Sequence, residues 1–289
     1  MLIYFSGPGK EDMSITDLES WIGRKDHCDD NIDEGHIQKM ALSLDTPAPV
    51  AGDALPALWQ WGLFINALPY RELGDDGHPR RGGGFLPPAD DRNRMWAGGR
   101  VEFLRPMRVG VKGHRESTIA SITEKDGRTG KLLFVTVKHE YSQNDTVCVS
   151  EEQDIVYREP SPPKLEGSLI APHAQWSEVV VPDPVMLFRY SAVTFNGHRI
   201  HYDQSYATQS EGYPGLVVHG PMIATLMCRA FTNAHPDKII TFLSYRGLRP
   251  LISPRPFHVA GALSGKGSAQ LWAEQGGTLA HQADIRFKS

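Results

Sequence analysis

The spacing of apolar residues changes twice along the first third of the chain. Residues 11–44 carry apolar side chains at helical spacing and predict helix. The segment LPALWQWGLFINALP, residues 55–69, is apolar on nearly every side and predicts a second, buried helix. Residues 70–99 are rich in glycine, proline and charge, which predicts a long loop of the kind that is usually functional or disordered.

Strand patterns begin at residue 100. Alternating or β-branched runs predict strands over residues 100–110, 115–127, 131–145 and 153–159. Turn sequences at Lys125–Gly127 and Gln143–Asp145 separate them, as in an antiparallel meander. Residues 160–184 hold six prolines and predict a linker between domains.

The second half repeats this order of elements. LFRYSAVTF, residues 187–195, has a strand-like pattern, and GPMIATLMCRAFTNA, residues 220–234, predicts a helix. Strand patterns follow over residues 240–251, 257–275 and 279–287. Leu104-Arg105-Pro106-Met107 returns as Leu248-Arg249-Pro250-Leu251, each time on the first strand after an apolar helix. We interpret this as a duplicated α+β unit with a helix wrapped by an antiparallel sheet; two unrelated α+β domains are the alternative.

Polar groups that can move protons concentrate in residues 189–226. Asn196, His198, His201 and Asp203 are followed by His219-Gly220, which opens the apolar helix. Such a concentration marks an active-site candidate. A metal set of His198, His201, His219 and Asp203 is the weaker interpretation, since no second short ligand pair accompanies the loose H-x-x-H spacing.

The motif FNGHRIHYD followed by GYPGLVVHGP resembles the MaoC-like (R)-specific enoyl-thioester hydratases and dehydratases, which have the hot-dog fold. The two-hot-dog branch is most similar, with its 3-hydroxyacyl-thioester dehydratases and its itaconyl-CoA or mesaconyl-C4-CoA hydratases. The resemblance implies a double hot-dog over nearly the whole chain. It implies a degenerate N-terminal hot-dog (1–160) with a lid-like loop (70–99), a linker (161–184) and a catalytic hot-dog (185–289).

The resemblance also implies roles for three residues. His201 falls on the family's acid–base histidine, and Asn196 stands where the usual motif has an aspartate. An amide cannot act as a base, so Asn196 would orient water while His201 transfers protons. Gly220, at a helix N-terminus, would stabilise the enolate oxygen with its N–H. The alternatives are a core histidine, a turn asparagine and a glycine that only caps the helix.

The implied reaction is reversible hydration of a short enoyl-CoA, of the itaconyl-CoA or mesaconyl-C4-CoA type, to a citramalyl-CoA-type product. Alternatives are a (3R)-hydroxyacyl-thioester dehydratase, a non-catalytic acyl-thioester binder and a thioesterase. A carboxylate on the acyl chain requires a cation, and arginine fits best. Candidate substrate-binding residues are Arg189, Arg246, Arg249 and His219. The basic run Arg80–Gly84 could meet CoA phosphates, although a solvated loop is the alternative.

Composition limits the partners. With 40% hydrophobic residues, 22% charged residues and a net charge of −4, the chain has neither a basic surface for nucleic acid nor an apolar run for a membrane. Cys28, Cys148 and Cys228 are dispersed, and Gly7-Pro8 interrupts any leader sequence, so we expect a cytoplasmic protein. We expect an acyl-CoA substrate, no cofactor and no metal, and a homodimer is the candidate assembly.

Overall fold

The computed structural model describes residues 18–80, 84–88, 92–127, 130–159 and 161–289. One antiparallel sheet of ten strands dominates it. The strands are β1 (Lys25–Asn31), β2 (Asn93–Phe103), β3 (Lys112–Gly127), β4 (Gly130–Gln143), β5 (Thr146–Arg158), β6 (Trp176–Val180), β7 (Ile239–Gly247), β8 (Phe257–Gly265), β9 (Ser268–Gln275) and β10 (Thr278–Lys288). The α-helices are α1 (Glu34–Ser43), α2 (Pro184–Val193) and α3 (Gly220–Ala234).

The sheet consists of two copies of one five-stranded pattern. Its order is β1-β3-β4-β5-β2-β7-β10-β9-β8-β6, so the second five strands repeat the order of the first five in reverse across the β2–β7 pair. This topology confirms the predicted α+β double hot-dog, with the two half-sheets side by side.

The repeated Leu-Arg-Pro sequence occupies equivalent places in the two halves. After β2, the N–H groups of Leu104 and Arg105 both donate to Cys148 O, at 2.9 and 3.0 Å. After β7, those of Leu248 and Arg249 both donate to Ala280 O, at 2.8 and 3.2 Å. The same bifurcated bond therefore follows the strand of each half that lies at the centre of the ten-stranded sheet, which supports a duplicated unit.

The β2–β7 pair joins the two halves at close range. Gly98 lies opposite Arg246 and Gly99 opposite Tyr245. A Cβ on Gly98 would lie 2.4 Å from Tyr245 O, and one on Gly99 would lie 2.8 Å from the Tyr245 hydroxyl. Glycine is therefore required here because the partner strand and its tyrosine occupy the space of a side chain.

Helix α3 is the core of the C-terminal half and has the predicted bounds. It begins at Gly220 with Pro221 in its first turn, where a missing N–H costs nothing, and its C-terminal cap His235 is followed by Pro236. Met222, Ile223, Leu226 and Phe231 are almost fully buried, and further α3 residues around the helix are buried with them. The half-sheet thus wraps a helix that is apolar on every side.

The N-terminal half has no such helix in its described part, so the helix predicted for residues 55–69 is wrong. This segment contains one short 3-10 turn, Trp59–Gly62, flanked by Leu58 at φ 71° and Phe64 at φ 55°. Those left-handed residues interrupt any helix. The Trp61 indole donates instead to the buried carboxylate of Glu151 at 2.8 Å.

Four other boundaries differ from the sequence prediction. Residues 11–44 were predicted as helix, but their described part contains strand β1 before helix α1. A polar turn separates the two elements, and β1 pairs with β3. Residues 11–17 lie outside the described residues. The strand predicted at 187–195 is mostly helix α2, capped by Asp183, whose carboxylate accepts from Met186 N–H at 2.7 Å. Strand β2 begins at Asn93, inside the predicted loop 70–99. Strand β6 lies inside the predicted linker and pairs with β8.

Within the described residues, no helix combines the length and apolar character needed to cross a bilayer.

Candidate active site

The motif after α2 is a tight turn that places His201. The chain leaves the helix through Phe195 at φ 51°. The Asn196 carboxamide oxygen then accepts from the His198 N–H at 3.0 Å, an Asx-type turn. A short 3-10 turn, Arg199–His201, follows. Asn196 therefore fixes the turn with its oxygen, and its amide nitrogen remains available to donate.

His201 is buried, with 7% of its surface exposed. Its Nδ1 lies 2.7 Å from Val217 O, and because a carbonyl only accepts, Nδ1 must carry the proton. The neutral tautomer therefore has its lone pair on Nε2. Burial lowers the pKa of His201 to about 4, although the bond to Val217 opposes this shift. The residue is thus a neutral base at neutral pH.

His219 stacks directly on His201. The ring centroids are 3.7 Å apart at an interplanar angle of 20°. Its Nε2 lies 2.8 Å from the Ser191 hydroxyl on α2, and its Nδ1 is buried without a partner among the described residues. Burial, followed by the charge of His201, lowers the pKa of His219 well below its ordinary value. His219 is therefore fully buried against His201, and its predicted role in substrate binding stays a prediction.

Gly220 follows at the first position of α3. A Cβ here would lie 3.1 Å from Cε3 of Trp96, which comes from β2 of the other half. Pro221 has no N–H, so the Gly220 N–H is the first donor of the helix, at the positive end of its dipole. The absence of a side chain lets Trp96 pack close to Gly220, so residues of both halves meet at the start of α3.

A cavity of about 340 Å³ opens beside the motif. The C-terminal half contributes His198, Tyr206, Glu211 and Tyr213. The N-terminal half contributes residues 74–76 and 78–80, 93–95 and Arg158. His198 connects the cavity to the base, since its ring meets that of His201 edge-on at 5.4 Å between centroids.

Residues 74–80 are docked on the motif. The Asp76 carbonyl accepts from Arg199 N–H, and the Asp75 carbonyl accepts from the Arg199 guanidinium, both at 2.9 Å. Gly77, at φ 85°, leaves no room for a Cβ, which would lie 1.9 Å from Gly197 O. Arg80 donates to Leu73 O, and Arg81–Gly83 lie outside the described residues. This part of the predicted lid forms one wall of the cavity.

Asp76, His78 and His198 could together ligate a cation, since their ligand atoms lie within 4.8 Å of one another. This set differs from the metal set suggested by the sequence, sharing His198 with it. Burial alone would raise the pKa of Asp76, but hydrogen bonds from His78 at 3.2 and 2.9 Å outweigh it and lower that pKa strongly. Asp203 instead binds Arg199 at 2.7 Å and caps the turn at Tyr206.

The predicted substrate-binding arginines do not line the cavity. Arg249 donates to the backbone oxygens of Gln275, Thr278 and Leu279, so it has a structural role. Arg246 is exposed on β7, and Arg189 is exposed on α2. The arginines that do line it include Arg94 and Arg158, which sequence reasoning missed. No sequence signal separates them from other arginines, because strand pairing brings them together.

Comparison with known proteins identifies relatives over most of the chain. The sequence profile of hydroxyacyl-thioester dehydratase type 2 matches residues 59–253. The chain belongs to this family. Membership in the hydroxyacyl-thioester dehydratase type 2 family confirms the predicted MaoC-like resemblance and makes the chain a hydro-lyase.

Individual relatives support the same family assignment. The mesaconyl-C4-CoA hydratase of Chloroflexus aurantiacus is 45% identical over 252 residues, covering 86% of this chain and 89% of the relative. The mitochondrial hydroxyacyl-thioester dehydratase type 2 of Schizosaccharomyces pombe is 28% identical over 271 residues, covering 83% and 86%. The crystal structure of HtdX from Mycobacterium tuberculosis has the same fold, with a TM-score of 0.67 at 18% identity, covering 91% and 99%.

Proposed function

We propose that this hydro-lyase adds water to an enoyl-CoA whose β-carbon bears a carboxylate, of the mesaconyl-C4-CoA or itaconyl-CoA type. The product would be of the citramalyl-CoA type, which would place the reaction in itaconate degradation. The 45% identity to a mesaconyl-C4-CoA hydratase over 252 residues carries this proposal. The neutral His201 supports it, because its ring contacts that of His198, which lines a cavity of about 340 Å³.

His201 acts first as base and then as acid. Its Nε2 takes a proton from water while the water oxygen forms a bond to the β-carbon. On mesaconyl-C4-CoA, whose C=C is conjugated with the thioester, the C=C electron pair moves to the thioester and gives an enolate, and the protonated His201 returns the proton to the α-carbon. One O–H bond and the C=C π bond break while one C–O and one C–H bond form. Asn196 donates its amide hydrogen to the attacking water and holds it in place.

Gly220 stabilises the enolate. Its N–H at the start of α3 donates to the thioester oxygen, where negative charge develops. The buried surroundings strengthen that bond because water does not compete for it. Trp96 packs close to Gly220 and helps to fix the start of α3.

A (3R)-hydroxyacyl-thioester dehydratase is the second proposal. The S. pombe relative of that name, at 28% identity, favours it. The two proposals share the same chemistry in opposite directions and differ in the acyl chain. A non-catalytic thioester binder would retain binding without turnover, and a thioesterase would release free CoA.

The test is a panel of enoyl-CoAs with wild type, His201→Ala and Asp203→Asn. We expect wild type to prefer mesaconyl-C4-CoA to crotonyl-CoA. We expect His201→Ala to lose roughly 10²–10⁴-fold in kcat, because general acid–base catalysis contributes that much. Asp203→Asn should stay within about tenfold, since Asp203 holds Arg199 instead of substrate. A preference for crotonyl-CoA or longer chains would favour the dehydratase proposal, and an active His201→Ala would remove the assignment of the base.

We further propose a reducing compartment such as the cytoplasm, because Cys28, Cys148 and Cys228 are all free thiols. A homodimer stays a prediction, which light scattering would test.

A further inference from the structure

Two arginines of the N-terminal half face the cavity beside the motif. Arg94 lies near the start of β2 and Arg158 at the end of β5, and both line the cavity together with His198. Within the described part of the chain, neither forms an ion pair. Nearby Arg92, in contrast, pairs with Glu124 at 3.1 Å, and Arg100 pairs with Asp154 at 2.9 Å. Among the described residues, the charges of the two cavity arginines are therefore not neutralised by an ion pair.

Arg158 carries the stronger signal of the two. Its Nε is buried and has no hydrogen-bond partner among the described residues. A buried donor without an acceptor costs free energy, and more so when the group is charged. A planar carboxylate can satisfy a guanidinium fork through two parallel hydrogen bonds. This wall of the cavity therefore offers donors suited to an oxyanion.

The acidic side chains that line the cavity, Asp75, Asp76 and Glu211, form no ion pair with either arginine. Asp76 is engaged with His78, and Glu211 accepts from the Tyr206 hydroxyl at 3.0 Å. Burial first, and then the charges of neighbouring groups including Arg94, lower the pKa of His198 to about 2. His198 is therefore neutral, and it separates the arginines from the base without adding charge. Arg94 is near enough to His198 to act on it electrostatically.

The chemistry of a β-carboxylated enoyl thioester needs cations at this position. The carboxylate is attached to the carbon that receives the water oxygen, so it must lie next to the base. His198 lies between the two places, since its ring centroid is 5.4 Å from that of His201 and its side chain lines the cavity together with Arg94 and Arg158. The negative carboxylate also repels the incoming hydroxide-like oxygen. A guanidinium bound to it offsets that repulsion and keeps the carbon electrophilic.

We propose that Arg158 and Arg94 bind the carboxylate on the acyl chain and thereby determine the specificity for a charged substrate. This inference rests on the proposed function. It assigns a role to the N-terminal half, which supplies the specificity residues while the C-terminal half supplies the base. It also replaces Arg246 and Arg249 as the residues that recognise the charge.

The test compares Arg158→Met and Arg94→Met with Arg246→Met as the matched control, because Arg246 is exposed and does not line the cavity. We expect Arg158→Met to lose roughly 100-fold in kcat/KM on mesaconyl-C4-CoA, as expected when one partner of a buried charge pair is removed. Arg94→Met should lose at least about tenfold. On crotonyl-CoA each variant should stay within about threefold of wild type. Equal losses on both substrates would overturn the proposal, as would a selective loss only in Arg246→Met.

CoA phosphates are the other possible oxyanions, and thioesters of N-acetylcysteamine distinguish them because they lack phosphate. If the arginines bind the acyl carboxylate, Arg158→Met will lose activity on the mesaconyl thioester of either carrier. A loss on both CoA thioesters, with none on the N-acetylcysteamine thioesters, would assign the arginines to CoA and overturn the proposal.

A binding measurement separates this inference from the proposed function. Succinyl-CoA and butyryl-CoA are unreactive analogues with and without the carboxylate, and calorimetry gives their Kd without turnover. We expect wild type to bind succinyl-CoA at least about tenfold more tightly than butyryl-CoA, and Arg158→Met to lose that preference. If wild type shows the preference but hydrates no enoyl-CoA, the proposed function fails and the carboxylate site stands. If wild type lacks the preference, the proposed carboxylate site is refuted, whether or not the protein hydrates enoyl-CoAs.

Discussion

The imidazole rings of His201 and His219 lie face to face, with centroids 3.7 Å apart and planes inclined by 20°. Each ring is fixed by one hydrogen bond, His201 to Val217 O and His219 to the Ser191 hydroxyl, at 2.7 and 2.8 Å. Two rings stacked this closely cannot both carry charge, because like charges at this range repel strongly. The pair therefore holds at most one proton beyond neutrality, and His219 supports His201 as a neutral, fixed base.

Activity should persist to unusually low pH. Because the pKa of His201 is lowered to about 4, the acidic limb of kcat/KM should have an apparent pKa near that value. The folded protein binds fewer protons at His201 than the unfolded chain, in which the pKa is about 6.5. The contribution of His201 to the free energy of unfolding is therefore complete above pH 6.5 and falls as the pH drops towards 4. A pH–rate profile with its acidic limb near 6.5 would contradict this.

Replacement of Gly220 by alanine should impair both folding and catalysis. The new Cβ would lie 3.1 Å from Trp96, which must shift. We expect a loss of about 1 kcal/mol in the free energy of unfolding, as for mild overpacking, and more than tenfold in kcat because the Gly220 N–H moves with the turn. Urea denaturation and initial rates measure the two effects. Gly84→Ala is the control, since a Cβ on Gly84 meets no atom within 4 Å. Unchanged kcat in Gly220→Ala would exclude the oxyanion role.

Glu151 should make stability depend on pH. Its carboxyl group is buried and accepts from Trp61 and Tyr141, at 2.8 and 3.3 Å. Burial raises its pKa despite the hydrogen bonds that oppose the shift. The folded state thus binds a proton at Glu151 more tightly than the unfolded chain does. The contribution of this carboxyl group to the free energy of unfolding is therefore smallest at high pH. Compared with wild type, Glu151→Gln should gain stability as pH rises from 5 to 8; a constant difference in unfolding free energy would refute the shift.

Metal removal should leave activity unchanged. Asp76, His78 and His198 could ligate a cation, but Arg80, Arg94 and Arg158 line the same cavity and oppose positive charge there. Incubation with a chelator followed by assay and metal analysis is the measurement. Stoichiometric zinc in the purified protein, with activity lost on its removal, would show that this cluster is a functional metal site.

Local signals in the sequence were sufficient to predict helix α3, the turn between β4 and β5, and the duplication. Helix α3 has the predicted bounds because Pro221 and Pro236 flank an apolar run. The turn between β4 and β5 occurs at Asn144 and Asp145, which adopt φ 48° and 57° as such hairpins require. The repeated Leu-Arg-Pro sequence revealed the duplication, because each copy ends a central strand.

Local signals failed where distant partners decide the backbone. Residues 55–69 have a helical pattern, yet Trp61 turns towards Glu151 of β5, ninety residues away in sequence. Residues 187–195 have a strand-like pattern, but the Asp183 cap and the packing of Leu187 and Tyr190 in the core favour helix. Short apolar segments satisfy either pattern, and tertiary contacts select one.

The sequence by itself determined the family, the double hot-dog and the candidate base, because a motif of contiguous residues carries each of them. Only the tertiary structure decided which arginines meet the cavity. Arg249 is bound by backbone oxygens of its own half, while Arg94 and Arg158 reach the cavity through pairing of β2 with β5. Side-chain surroundings depend on which strands pair, and residues that are distant in sequence set those pairings.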